Sequence, residues 1–169
     1  MITQKQLHAA LDYDPLTGIF RWRDRSDIRA NVNARLQGTV AGTIRKADGR
    51  RQICFADKRY LASRLAWFYV YGKWPNPEVD HINVRKDDDR IANLREASKP
   101  QNQRNKKGHR DSASQIKGVT WHKLRRKWRA SICIDYRQIH LGLFQTKDLA
   151  IAAYSDAAIK FHGDFARLP

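Results

Sequence analysis

Residues 79–105 read VDHINVRKDDDRIANLREASKPQNQRN, and this stretch decides the fold of the chain around it. Asp80 and His81 stand side by side, and Asn102 follows 21 residues after His81. Pro100 suits the first turn of a helix that would carry Asn102. A hairpin bearing Asp80 and His81, packed on that helix, would bring a carboxylate and an amide oxygen around one hard cation.

The residue types in this stretch indicate metal-assisted hydrolysis. Oxygen ligands favour Mg²⁺ or Mn²⁺ over zinc, and a neutral histidine nearby can take a proton from water that attacks a phosphodiester. An ordinary structural interpretation also stands, in which Asp80 caps a turn and Asn93 forms one. From residue chemistry alone the ordinary interpretation is favoured. Asp87–Asp89 are expected to form a solvated turn rather than a set of ligands.

The net charge points to a polyanionic partner. The 169 residues contain 33 Lys and Arg against 17 Asp and Glu, which gives a formal net charge of +16. Such a charge favours nucleic acid or an anionic membrane surface. Residues 79–103 are neutral, with five basic and five acidic side chains, and the excess lies elsewhere. This neutrality is either chance in a short window or a sign that carboxylates are kept there to hold a cation.

Composition excludes several classes of protein. The hydrophobic fraction is 41%, which is enough to build a core. No apolar run reaches about 18 residues and no apolar signal-peptide segment follows Met1, so a cytoplasmic protein is expected. Cys54 and Cys133 are the two cysteines, and they form neither a disulfide framework nor a zinc-binding pair spacing.

The first third of the chain has mixed helical and strand patterns. Tight turns are expected at Asp14–Gly18, Asp48-Gly49 and Ala56–Lys58, and Gly72 ends the clearest helix. We expect helices over 4–11 and 60–71, strands over 19–23, 40–44 and 52–55, and a polar loop over 24–37.

The last third predicts a compact module of about 50 residues, a size at which a core is only marginally stable by itself. Three strands are expected over 118–122, 127–134 and 137–144, followed by a helix over 147–161 that Thr146 caps. A basic, polar linker over 108–114 precedes it. The helix presents one apolar stripe to the sheet, made of Leu149, Ala150, Ala153, Tyr154, Ala157, Ala158 and Phe161.

Alternation along these strands separates a core face from a polar face. Trp128 is expected in the core, and Trp121 is equally suited to the core or to stacking on bases. Basic side chains neutralise phosphates and Arg and Gln reach base edges, although an ordinary solvated basic face is the competing interpretation. The candidate DNA-binding residues are Thr120, Trp121, His122, Lys123, Arg125, Arg126, Lys127, Arg129, Ser131, Gln138 and His140.

The order Asp80-His81, Asn93-Leu94-Arg95 and Gln101–Asn105 resembles the signature of the HNH endonucleases, in the Asp-His-Asn-Asn variant of homing-type and bacteriophage enzymes. The resemblance covers roughly residues 12–107. It implies a ββα-metal fold in which Asp80 and Asn102 ligate one divalent ion, Mg²⁺ or Mn²⁺. His81 would be the general base, and Asn93 would pin the loop that holds it. Asn105 is a second candidate for the amide ligand.

Residues 115–168 resemble the DNA-binding domain of plant ethylene-response factors. That family lays its sheet in the DNA major groove. Where the plant domains have two arginines this chain has Thr120 and His122, and where they have a tryptophan in the third strand it has His140. The resemblance therefore supports the fold more than any base preference. The segments that carry it are Lys117–Val119, Lys127–Ala130, His140–Phe144, Thr146–Ala150 and Ala152–Ala158.

Together these observations predict an α+β protein. An HNH nuclease domain over 1–107, with its ββα-metal core at about 60–107, would be joined by the linker to a three-stranded antiparallel sheet packed on one helix over 115–169. The expected function is metal-dependent cleavage of duplex DNA, with no membrane or small-molecule substrate and with an oligomeric state that the sequence leaves open. A catalytically silent DNA-binding regulator and an RNA-binding or RNA-cleaving protein are the alternatives.

Overall fold

The computed structural model describes residues 2–105, 114–166 and 168. The chain forms two compact units, Met1–Ala97 and Ser98–Pro169. Because residues 106–113 are not among those described, the predicted linker over 108–114 lies outside the described residues except for Ser114. The domain boundaries of the sequence analysis stay a prediction.

The first unit contains helices and short antiparallel strands. They are α1 (Gln4–Ala10), β1 (Leu11–Asp14), β2 (Ile19–Trp22), α2 (Ala30–Leu36), β3 (Thr43–Ile44), β4 (Arg51–Phe55), β5 (Lys58–Leu61), α3 (Ala62–Tyr71), β6 (Glu78–His81) and β7 (Leu94–Ala97). β1 pairs with β2, β4 lies between β3 and β5, and β6 pairs with β7. No helix in the described residues is long and apolar enough to cross a membrane.

Local chemistry explains where α1 begins and where α3 ends. Thr3 accepts a hydrogen bond from the backbone of Gln6, whose side chain bonds back to Thr3, so α1 begins with a capping box. Gly72 ends α3 in the left-handed conformation, with φ +70°. The core beneath these helices is fully buried at Leu65, Phe20 and Ile53.

Three predictions for this unit are wrong. Segment 24–37 is not all loop, because it contains α2, a helix without any buried residue. The helix predicted over 4–11 ends at Ala10, because Leu11 is the first residue of β1. Tyr60 pairs with Ile53 on β4, and the helix predicted from residue 60 begins only at Ala62. Sheet pairing overrides helical periodicity at this junction.

The second unit begins with α4 (Lys99–Arg104), followed by β8 (Val119–His122), β9 (Lys127–Ile134), β10 (Arg137–Phe144) and α5 (Lys147–His162). β9 lies between β8 and β10, and all pairs are antiparallel. The three-strand-plus-helix arrangement and the Thr146 cap are as predicted. The buried residues include Val119, Ala130, Ile132 and Tyr154.

The ends of the predicted apolar stripe on α5 are wrong. Leu149 is 55% exposed and Phe161 is 43% exposed, whereas Ala150 and Ala158 between them are fully buried. Small alanines let the middle of the helix lie close to the sheet, whereas the larger side chains of Leu149 and Phe161 remain partly exposed. A β-bulge at Leu141, between His140 and Gly142, shifts the register of β10 and places Leu143 opposite Arg129.

Candidate functional site

The β6–β7 hairpin carries the Asp80-His81 pair in a buried position. Asp80 lies opposite Arg95, and His81 lies opposite Leu94. Asp80 is 5% exposed and His81 is 4% exposed. Arg95 donates hydrogen bonds from Nε and Nη2 to Asp80 Oδ2, at 2.9 and 2.8 Å. The charge of the buried carboxylate is therefore balanced on its own hairpin, as burial of a charge requires.

His81 is held by a second carboxylate that the sequence analysis did not single out. The distance from His81 Nε2 to Asp89 Oδ1 is 2.9 Å, and both side chains are at most 4% exposed. Because a carboxylate accepts, this contact assigns the proton to Nε2 and the basic lone pair to Nδ1. Asp89 Oδ2 is buried and has no hydrogen-bond partner among the described residues. Tyr13 donates to the backbone oxygen of Asp89 at 2.7 Å, and burial raises the pKa of that phenol.

Asn93 closes the loop between the two strands. Its Nδ2 donates to the backbone oxygen of Asp88 at 2.8 Å and to Asn83 Oδ1 at 3.0 Å, and its Oδ1 accepts from the Asn83 backbone at 3.0 Å. One amide thus bonds both ends of the loop that carries Asp89. Val84 in this loop has φ +64°, a strained backbone for a β-branched residue.

Asp88 anchors the same loop through Arg90 and Asn83. Arg90 donates from Nε and Nη2 at 2.7 and 2.6 Å, and Asn83 Nδ2 donates at 2.7 Å. The Arg90 hydrogen bonds, followed by that of Asn83, lower the pKa of Asp88 to about 2. The predicted solvated turn over Asp87–Asp89 is therefore wrong for two residues, because Asp88 and Asp89 are 9% and 2% exposed. Only Asp87 is solvated.

Asn102, the predicted amide ligand, lies on α4 in the second unit. Ser98 caps this helix with a capping box to Gln101, and Pro100 stands in its first turn as predicted. Lys117 Nζ donates to the backbone oxygens of Gln103 and Arg104 at the end of the helix. Asn105, the second candidate ligand, is 4% exposed at the C-cap of α4.

The donor chemistry of Asp80 and Asn102 fits a hard divalent ion, since both offer oxygen atoms. No group of three or more His, Cys, Asp and Glu side chains able to hold a metal exists in the described residues. If His81 were not the base, His109 would be the nearest alternative, and it lies outside the described residues.

The C-terminal sheet presents the predicted polar face opposite α5. Thr120 pairs with Arg129, and Ser131 pairs with His140. Arg129 is exposed, whereas Ser131 is buried and accepts a hydrogen bond from Gln138 at 3.0 Å. A shallow concavity on this face is lined by His122, Arg129, Ser131, Gln138, His140 and Leu143.

The remaining candidate DNA-binding residues lie along β8 and its turn. Trp121 is 41% exposed and packs edge-on against Trp128, with ring centroids 5.3 Å apart. Trp128 is half-buried against the core, as predicted. Lys123, Arg125 and Arg126 are exposed in the turn, and Lys127 is half-buried at its end.

Comparison with known proteins agrees with both resemblances. The HNH endonuclease family matches residues 60–104, which include Asp80, His81, Asn93 and Asn102. Protein 3.8 of Escherichia phage T7 is 32% identical over 91 residues, covering 53% of this chain and 73% of that protein.

The C-terminal region is similar to plant transcription factors. The AP2-like ethylene-responsive transcription factor TOE2 of Arabidopsis thaliana is 37% identical over 60 residues, covering 36% of this chain and 12% of that protein. The related factor PLT2 of the same plant is 31% identical over 113 residues, covering 63% of this chain and 20% of that protein. The chain thus spans a fifth or less of these plant proteins. No solved structure matches the chain significantly.

The loop geometry predicts a pH-dependent contribution of Asp88 to stability. Asp88→Asn should lower the free energy of unfolding at pH 7 by about 1 kcal/mol, since Arg90 is half exposed and its hydrogen bonds are partly screened. The folded carboxyl has a lowered pKa, so its contribution is present above the ordinary value of 3.8 and is lost as the pH falls toward about 2. Denaturant unfolding at pH 7, 4 and 2.5 measures the difference between wild type and variant.

The matched control for this prediction is Asp87→Asn, which makes the same charge change at an exposed neighbour. It should leave stability nearly unchanged at every pH. Equal losses in the two variants would contradict a specific anchoring role for Asp88.

Proposed function

The chain belongs to the HNH endonuclease family and carries an AP2-like region in its C-terminal third, and from this premise we propose that it is a metal-dependent endonuclease of duplex DNA. The single observation that carries the proposal is the buried contact of His81 with Asp89 on a hairpin inside the family-matched residues. A histidine with a defined tautomer is what general-base hydrolysis of a phosphodiester requires.

His81 is the proposed general base. The carboxylate of Asp89 holds the Nε2 proton, so the basic Nδ1 takes the proton from the attacking water. Asp89 is a positioning residue in this scheme: it fixes the ring and tautomer of His81 without touching the substrate. Asn93 keeps the loop closed around this pair through its three hydrogen bonds.

Asp80 and Asn102 are the proposed ligands of one Mg²⁺ or Mn²⁺ ion, with Asn105 as the second candidate for the amide. When bound, the ion would stabilise negative charge on the scissile phosphate and on the leaving oxygen. Arg95 already orients the Asp80 carboxylate through Oδ2, which limits the rotation of this ligand. The proposed products carry a 5′-phosphate and a 3′-hydroxyl.

The C-terminal module is the proposed anchor on duplex DNA. The exposed Arg129 and the basic turn after β8 supply phosphate contacts, and Gln138 and His140 stand beside Arg129 on the same polar face. Duplex DNA as substrate places the proposed action in the cytoplasm, that of a bacterial host if the chain is phage-encoded.

The function is tested by plasmid digestion. Supercoiled DNA should be relaxed or linearised with Mg²⁺ or Mn²⁺ and should survive in chelator. Absence of cutting with every divalent ion would favour the silent DNA-binding regulator, and preferential binding of RNA in competition would favour the RNA-directed alternative.

The role of His81 is tested by His81→Ala. This variant should bind DNA as well as wild type and cut about 10²–10⁴-fold more slowly. Cutting within a few-fold of wild type would move the base role to another residue.

The positioning role of Asp89 predicts a defect in turnover rather than in binding. Asp89→Asn, which can accept or donate at the same position, should lower kcat about 10–100-fold because the tautomer of His81 is no longer fixed. KM and the dissociation constant for DNA should stay unchanged. Single-turnover cleavage separates the rate of the chemical step from the affinity for DNA. Asp87→Asn is the control with the same charge change. A fall in DNA affinity equal to the fall in rate would contradict the role.

The anchor is tested on the full chain with Arg129→Gln. Its affinity for duplex DNA should fall, and the slope of log K against log salt should flatten by about 0.9 for one lost phosphate contact. Lys160→Gln makes the same charge change on α5, which covers the opposite face of the sheet, and should have little effect. Equal effects of the two variants would contradict the anchor role, because the polar face would then act only as a solubilising surface.

A further inference from the structure

The first unit also contains a three-stranded antiparallel sheet with one buried and one exposed face. On β4, Ile53 is fully buried and Phe55 is 6% exposed, and both belong to the core. Because successive side chains of a strand point to opposite faces, Gln52 and Cys54 lie on the other face. Cys54 pairs with Arg59 of β5, and both are exposed. α3 packs against the buried face, so the outer face is left to solvent.

The β3–β4 hairpin extends this outer face beyond the core. Residues 43–47 are all exposed, so the hairpin tip is not packed against the unit. Arg45 N donates to Arg50 O at 2.8 Å, which continues the antiparallel pairing beyond the ends of β3 and β4. Gly49 N donates to Arg45 O at 2.8 Å and closes the turn. Gly49 has φ +74° and nothing within 4 Å of an added Cβ, in agreement with an open, projecting turn.

The hairpin and outer face carry a dense positive charge. Residues 43–59 contain six Lys and Arg against two Asp, and by alternation Arg45, Arg50 and Arg59 are the arginines on the outer face. At the tip, Asp48 lies 3.3 Å from Arg45 Nε and 3.8 Å from Arg50 Nε, so one carboxylate is shared by two guanidinium groups. The side chains of Arg45 and Arg50 remain 41% and 25% exposed. The ion pairs hold both arginines at the tip without neutralising it.

From these features we infer that the β3–β4 hairpin and the outer face of its sheet form a second surface for duplex DNA, located in the nuclease unit itself. A two-stranded ribbon fits the major groove, which is about 12 Å wide, and neighbouring strands are about 4.8 Å apart. Arginine suits this partner because its planar guanidinium binds phosphate and guanine edges in a bidentate manner. The choice of duplex DNA as partner rests on the proposed function.

With this surface, the unit that carries Asp80 and His81 would bind DNA directly, in addition to the binding proposed for the C-terminal module. Arg45, Arg50 and Arg59 are expected to contact phosphates, and Gln52 stands between them on the outer face. None of these residues belongs to the proposed catalytic set, so their loss should weaken binding without changing the chemical step.

The first test compares two double variants of the full chain in chelator, where the proposed cleavage does not proceed. Arg45→Gln combined with Arg50→Gln should weaken binding to duplex DNA about tenfold or more and flatten the salt slope by about 1.8. The control combines Arg29→Gln with Arg35→Gln on and before α2, exposed positions of the same unit with the same charge change. Equal losses in both pairs would overturn the inference, because any removal of charge would then suffice.

The second test uses the two cysteines as probes and leaves every arginine in place. Cys54 lies on the outer face of the first sheet, and Cys133 lies opposite Gln138 on the polar face of the second. In Cys133→Ser, the rate at which a neutral maleimide modifies Cys54 should fall when duplex DNA saturates the protein. In Cys54→Ser, the same measurement on Cys133 reports on the C-terminal anchor.

The two probes separate the inference from the proposed function. Protection of Cys54, with or without protection of Cys133, supports the second surface. Protection of Cys133 alone, with Cys54 modified at its unbound rate, overturns it and leaves the C-terminal anchor standing. Protection of Cys54 alone supports the hairpin and contradicts the C-terminal anchor. Protection of neither residue, under conditions in which binding is observed, overturns both assignments.

Discussion

The hydrogen bond between His81 and Asp89 is the constraint on which the arrangement of the β6–β7 hairpin depends. Two polar side chains that are almost fully buried must satisfy each other's hydrogen bonds, because burial removes most of their contact with bulk water. The loop between them can make this contact only if it folds back over His81. Asn93 bonds the loop at both ends, and the strained backbone of Val84 is the cost of that closure.

The same rule of pairing explains the charges in the neutral segment. Asp80 is bonded by Arg95 across the hairpin, and Asp88 is bonded by Arg90 two residues away. Some of the acidic and basic side chains of this segment thus form pairs that shape the hairpin and its loop, besides any role in holding a cation. Much of the charge outside this segment is carried by exposed side chains, where it remains available to a polyanion.

How much of the fold could be predicted depended on whether local signals agreed with packing. In the C-terminal module, alternation along β9, the Thr146 cap and the alanines of α5 all pointed to one answer, and the strands and helix are where they were expected. In the first unit, α2 has no buried residue and β5 has a pattern that also fits a helix. The pattern of apolar residues fails at α2 because none of its residues is buried, and at β5 because pairing with β4 decides the structure.

The sequence by itself determined the order and types of the candidate site residues, since Asp80, His81, Asn93 and Asn102 are identified by their resemblance to the HNH signature. It also determined which strand positions of the C-terminal module are polar, because a period of two needs no tertiary information. Only the tertiary structure decided that Asp88 and Asp89 are buried and that Asp89 bonds His81. A run of three carboxylates looks solvated in sequence, and two of them become part of the interior only because the loop folds back and is closed by Asn93 and Asn83.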